Sequence, residues 1–182
     1  MLYEGYAAVS ARRVAKEAGL KHTLVHYYFP TTDDLHLAVY RRAVEGTLER
    51  LETALTAPEP LRAFWEHSID SGRTALAIEF MALANHRKVI RSEIAHHAER
   101  VRQRHMEALS ALLDPQSVDP KILSPSGLSV LAVGVARLIV MEAGLGISLG
   151  HADARSFIDH LLRLHERRKG QPIRKKHRAS VR

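Results

Sequence analysis

The sequence predicts an all-α protein, and three observations carry that expectation. Aromatic residues make up only 5% of the 182 residues, and no run of period-2 alternation is bounded by turn residues, which argues against a sandwich or barrel. Glycine and proline punctuate the chain at Gly19, Pro30, Pro58, Pro60, Gly72, Pro115, Pro120, Pro125 and Gly150, and the segments between them read as helices. Several segments open on a residue suited to capping a helix, such as Ser10 and Thr31.

Taken in order, a short helix is expected over residues 10–18, with Ser10 as its cap and Gly19 ending it in a left-handed conformation. A second short helix over 21–29 is stopped by Pro30. A long one runs from 31 to about 55, capped by Thr31 or Thr32, with Asp33 and Asp34 in its positively polarised first turn. Helices over 61–71 and 73–84 follow, then a long one of mixed charge over 86–113. The segment 126–149 is nearly all apolar, and 152–169 closes the fold. The apolar segment is long enough to span a bilayer. Arg137 and Glu142 near its middle would each cost roughly 2.5–3.5 kcal/mol there, so it is read as a helix buried on both sides. One side faces its own bundle; the other faces a partner, with Ala132, Gly134 and Ala136 allowing close approach.

Composition narrows the function. A chain of this length buries roughly 70% of its surface, enough for a sizeable core. Apolar residues at 46% and charged residues at 26% are ordinary for a soluble protein. The absence of cysteine excludes disulfides, thiolate zinc sites and thiol nucleophiles. No basic segment followed by an apolar run opens the chain, so no export signal is expected and the cytoplasm is the expected compartment. The net charge of +7 is unevenly placed: residues 163–182 hold nine Lys/Arg against Glu166, residues 1–30 hold four bases and two acids, and residues 31–162 are slightly acidic. The basic balance therefore belongs mainly to the tail and does not by itself imply a nucleic-acid partner.

The sharpest local pattern lies in residues 11–29. Two short helices crossing steeply need a small residue where they touch, which Ala15 supplies, and a turn that tolerates positive φ, which Gly19 supplies four positions later. Val14, Ala18, Leu20, Val25 and Tyr28 are expected on the inner faces. These positions fit a helix-turn-helix. The second helix then turns Lys21, His22, Thr23, His26 and Tyr27 outward, donors and aromatics suited to phosphates and base edges.

The stretch GYAAVSARRVAKEAGLKHTLVHYYFPTTDDLHLAV resembles the DNA-binding segment of the TetR family of bacterial transcriptional regulators, specifically over residues 4–39. Beyond it the resemblance is one of architecture. It implies a larger helical bundle whose last two helices pair two subunits, a homodimer on a palindromic operator in double-stranded DNA, and a repressor released when a small-molecule effector enters the bundle. It implies phosphate-side roles for Ser10 and Arg12, base reading by Lys21, His22 and Thr23, and contacts to phosphates and thymine methyls from His26, Tyr27 and Tyr28, with Phe29 packing inward. Thr32 stands where the family often has lysine, which weakens or replaces one phosphate contact. The family begins with a full helix before the motif; here Met1 to Glu4 would be its end, an N-terminally short version with the first helix largely absent.

The expected organisation is a helix-turn-helix DNA-binding domain at 1–46, a ligand-binding and dimerisation bundle at 47–168, and a basic tail at 169–182 without fixed structure. That tail serves either solubility or non-specific affinity for DNA. Phe64, Trp65, Phe80, Met81, Met106 and Met141 are candidates for lining a pocket, and together favour an apolar ligand. Val135, Leu138, Phe157, Ile158, Leu161 and Leu162 are candidates for the dimer interface. Among the twelve histidines, Glu93 and His97 share a helix face with His96 adjacent and His86 and His105 on the same helix, but two ligands do not close a site, so no metal is expected. Residues 144–150, GLGISLG, follow no strand and are not a dinucleotide loop. No catalytic arrangement or cofactor is read from the spacing, and no enzyme is expected. Two alternatives stay open: a regulator without an effector, and a helical-bundle carrier or enzyme that has lost DNA binding.

Overall fold

The computed structural model describes residues 4–113, 121, 122 and 124–165. Eight α-helices make up its regular structure among these residues, preceded by a single 3-10 turn at Tyr6–Ala8. The Tyr6 backbone N–H donates to Glu79 Oε2 at 3.0 Å, which ties this turn to the middle of the fold. The expected tail at 169–182 lies outside the described residues.

Helix α1, Ala11–Glu17, starts at Ser10, whose Oγ accepts the Arg13 N–H at 3.3 Å. It ends in a Schellman motif. Leu20 N–H reaches the Ala15 carbonyl at 2.8 Å, Gly19 N–H reaches that of Lys16 at 3.2 Å, and Gly19 takes φ +67°. Helix α2, His22–Tyr28, follows after this tight turn and stops ahead of Pro30. Helix α3, Thr32–Leu55, opens on a full capping box: Thr31 Oγ1 accepts from Asp34 N–H at 3.1 Å, and Asp34 Oδ2 accepts from Thr31 N–H at 3.0 Å. Thr31 is therefore the cap, and Thr32 is the first helical residue.

Helices α4 (Pro60–Ser68), α5 (Ser71–His86), α6 (Lys88–Leu112), α7 (Pro125–Gly144) and α8 (His151–His165) complete the chain. Pro60 and Pro125 each occupy a first turn, where a missing N–H costs nothing. Asp70 and Ser124 cap α5 and α7 through bonds of 3.0 Å to Arg73 N–H and Gly127 N–H. The larger core joins α3, α4, α6, α7 and α8 through Leu51, Leu61, Phe64, Leu109, Leu128 and Leu162, among others. A smaller one, around Leu37, Phe80, Leu83 and Ile90, joins α3, α5 and α6. Each large side chain fully buried there contributes about 1.5–3 kcal/mol.

Three expectations change. The apolar segment is helical only to Gly144, not 149, because a second Schellman motif ends it. Ile147 N–H bonds the Glu142 carbonyl and Gly146 N–H that of Ala143, with Gly146 at φ +81°. Second, Ala132 and Ala136, expected to meet a partner, are buried within the protomer. Leu128, Ser129, Ala132, Ala136 and Ile139 face the bundle, whereas Val130, Leu131, Leu138 and Met141 are exposed. Ala132 and Ala136 thus let α7 approach its own neighbours rather than a partner. Helix α7 is long and apolar enough to cross a membrane, but its Arg137 is turned into the bundle and its inner stripe belongs to the core. Third, the motif has a thin core. Ala15 and Val25 are buried and Val14 half-buried, but Ala18, Leu20 and Tyr28 are exposed, since no element among the described residues covers that side of α1 and α2.

Candidate DNA-binding surface and ligand cavity

Ser10, Arg12, Lys21, His22, Thr23, His26, Tyr27, Tyr28 and Thr32 are all exposed, on and beside α1, α2 and the start of α3. The geometry follows from local sequence. The Gly19 turn sets the start of α2 against the end of α1, and the burial of Ala15 and Val25 fixes which side of α2 faces out. Along that side, the rings of His22 and His26 stack at 6.1 Å with 8° between their planes, one helical turn apart. Tyr27 and Tyr28 meet edge to face at 5.3 Å. The result is a row of flat groups, each with a donor at its tip, beside Lys21 and Thr23.

Nearby charges are partly committed. Arg13 holds Glu4 through two bonds of 2.6 Å, which keeps the Glu4 carboxyl below the usual carboxylate range. Arg12 has no ion pair among the described residues. Ser10 spends its oxygen as an acceptor in the cap, leaving its O–H to donate.

The second feature is a cavity of about 530 Å³, open to solvent on one side and lined by α3, α5, α6 and α7. Val39, Leu76, Phe80, Val101 and Val133 form its apolar wall. Its polar lining differs from the sequence expectation, with five arginines (Arg42, Arg50, Arg73, Arg102 and Arg137) against one carboxylate, Glu49. Of the six residues proposed to line a pocket, Phe80 alone lines this cavity. Phe64 and Trp65 are in the larger core, Met81 and Met141 are exposed at the surface, and Met106 is half-buried elsewhere. Apolar side chains of that size fill the layer between helices, and the space left over is bounded by chains too polar to close it. Arg137 carried the signal, as the one cation inside the most apolar helix.

At the inner end, His105 is buried, with its ring edge-on to Phe64 at 5.0 Å and Nδ1 at 3.3 Å from Ser129 Oγ. Its Nε2 has no partner among the described residues. Burial, with Arg102 and Arg137 adding to it, pushes the His105 pKa down to about 4, so the ring is neutral near neutral pH. His67 behaves alike: burial and then Arg73 lower it to about 4. Arg73 Nη2 donates to the His67 carbonyl at 2.7 Å and lies 3.2 Å from His67 Nδ1.

The candidate interface residues divide. Ile158 and Leu162 belong to the protomer core, because α8 packs on α4 and α7, and Val135 and Leu161 pack against that core. Leu138 and Phe157 are exposed, and Val130, Leu131, Met141 and Leu164, not foreseen individually, are exposed with them. Glu93 and His97 do meet, at 3.2 Å, but Arg41 also holds Glu93 at 2.6 Å. The described residues hold no group of three or more potential metal ligands.

Residues 2–39 match the family model described as bacterial regulatory proteins, tetR family. No curated protein matches the chain. Among solved structures, one of a TetR-family transcriptional regulator from Rhodococcus sp. is similar with TM-score 0.67 at 16% identity, covering 91% of this chain and 92% of that one. A transcriptional regulator from Saccharomonospora viridis in complex with choline gives 0.68 at 20%, covering 91% and 90%. A TetR-family member from Streptomyces coelicolor A3 gives 0.62 at 23%, covering 91% of each chain. These likenesses establish that the fold extends over nearly the whole chain.

Proposed function

We propose that this chain, whose N-terminal segment is that of the TetR family of bacterial regulators, is a homodimeric transcriptional repressor acting in the cytoplasm and released from a palindromic operator by a small molecule. The observation that carries the reading is the outward face of α2, with Lys21, His22, Thr23, His26 and Tyr27 exposed on a helix set by a glycine turn. Residues 1–46 would contact DNA, and 47–168 would bind the effector and pair the subunits. Helix α3 belongs to both parts, since it starts beside the motif and its residues 39–50 line the cavity. The unpartnered stripe of Val130, Leu131, Leu138 and Met141 on α7, with Phe157 and Leu164 on α8, supports pairing through these helices.

Selection of bound duplexes from a random pool by the full chain tests the reading. The expected product is a two-fold symmetric site. His22→Ala or Thr23→Ala should change the selected bases, since a good bidentate base contact is worth about 1–3 kcal/mol. Tyr27→Ala should weaken binding on all sequences alike. If alanine at all five positions left binding to the selected site unchanged, α2 would not be the recognition element.

A further inference from the structure

Building on the ligand-cavity reading above, we infer that the ligand is an amphipathic anion, with a carboxylate or phosphate head between Arg102 and Arg137 and a hydrocarbon body along the Phe80 wall. Arg102 on α6 and Arg137 on α7 are both half-buried and line the same cavity, and neither has a hydrogen bond or ion pair among the described residues. Arg73 enters from α5, but its guanidinium is already engaged by His67, with Asp70 at 3.7 Å. Glu49, the single lining carboxylate, is exposed on α3 and lies 4.0 Å from Arg42. No acid of the lining therefore neutralises the inner pair.

Two like charges withdrawn from water without counter-charge are costly, and an anion placed between them reverses the sign of that cost. Guanidinium forks match a carboxylate or phosphate in two-point geometry. The other groups at the inner end agree: His105 is neutral, its Nε2 has no partner among the described residues, and its Nδ1 lies against the Ser129 hydroxyl. Beside them, Val39, Leu76, Phe80, Val101 and Val133 offer only hydrocarbon, so the complement is a molecule with both a charged head and an apolar body. The same charges repel a cation.

Calorimetry on the full chain with octanoate, octanol and octyltrimethylammonium tests the inference, because the three share a tail and differ in head charge. Octanoate should bind at least about tenfold more tightly than octanol, and the cation should not bind. Arg137→Gln and Arg102→Gln should each remove about tenfold or more of octanoate affinity while leaving octanol binding as it was. Should either variant fail to fold, judged by its circular-dichroism melt, the ranking of the three heads on the unaltered chain decides. Equal binding of octanoate and octanol, binding of the cation, or binding of none of the three overturns the inference. Operator binding is measured on the same preparation without ligand. Its loss beside a preserved octanoate preference would sink the DNA-binding reading alone, and its retention beside no anion preference would sink the ligand class alone.

Discussion

At the scale of single residues, the most consequential groups are those whose chemistry conflicts with their surroundings. His105 sits among apolar neighbours and two arginines, and its pKa falls from 6.5 to about 4. The proton then binds more tightly to the unfolded chain, so folding stability is full above about pH 6.5 and declines as pH falls towards 4. For this ring the loss amounts to about 3 kcal/mol, with His67 adding to it over the same window. His105→Gln, which keeps a partner for Ser129, should flatten the acid limb of a melting-temperature profile while changing stability little near neutrality. An unaltered acid limb would mean the ring is not buried as a neutral base. Gly19 is a simpler case. A side chain there meets no atom within 4 Å, but φ +67° is costly for any L-residue. Gly19→Ala should therefore lower stability by roughly 1 kcal/mol through backbone strain alone, read by chemical denaturation.

At the scale of elements, α3 and α7 show how a helix with two jobs is written. Helix α3 has a strong start, the Thr31–Asp34 capping box, at the seam between the motif and the bundle. Asp34 is hydrogen-bonded to Thr31 through both its hydroxyl and its N–H, which lowers the Asp34 pKa. Thr31→Ala should cost about 1 kcal/mol, and by loosening the first turn it should weaken operator binding more than it lowers the global melt. Helix α7 divides its apolar surface between the core and an open stripe. A charge placed in an apolar contact is costly when unpaired. Leu138→Glu should therefore shift the protein from dimer to monomer in light scattering, whereas Leu162→Glu, in the core, should unfold it. An unchanged dimer in Leu138→Glu would remove α7 from the proposed interface.

At the scale of the whole molecule, the motif and the cavity are joined by α3. One end of that helix carries the capping box beside α2, and its middle lines the cavity. A ladder of exposed ion pairs fastens it to α6: Arg41–Glu93, Glu45–Arg100 and Glu52–Arg104, at 2.6 and 2.7 Å. Single exposed pairs contribute about 0–1 kcal/mol, so the ladder sets the register of α3 on α6 rather than supplying most of the stability. A ligand that moves α6 or α7 would carry α3 and hence α2 with it. Linkage then requires reciprocity: if an anion weakens operator binding by a given factor, saturating operator must weaken anion binding by the same factor. Titrations in both orders check this, and unequal factors would show that anion and operator do not act on one two-state equilibrium.

The sequence by itself determined the helices, the motif and its outward face. These are local: Gly19, Ser10, Thr31 and Pro60 act on backbone within one turn, and donors on α2 follow from helical period alone. It could not set the end of α7: Gly150 punctuates the sequence, but hydrogen bonds from Gly146 and Ile147 back to the last turn end the helix earlier. Nor could it separate core from cavity, since Phe64 and Phe80 are the same residue type and only the packing of α3, α5, α6 and α7 leaves space beside the second. The arginines of the cavity come from four helices far apart in the chain. Their charges are gathered only where those helices meet, which is why the proposed ligand class rests on the tertiary structure and not on the composition.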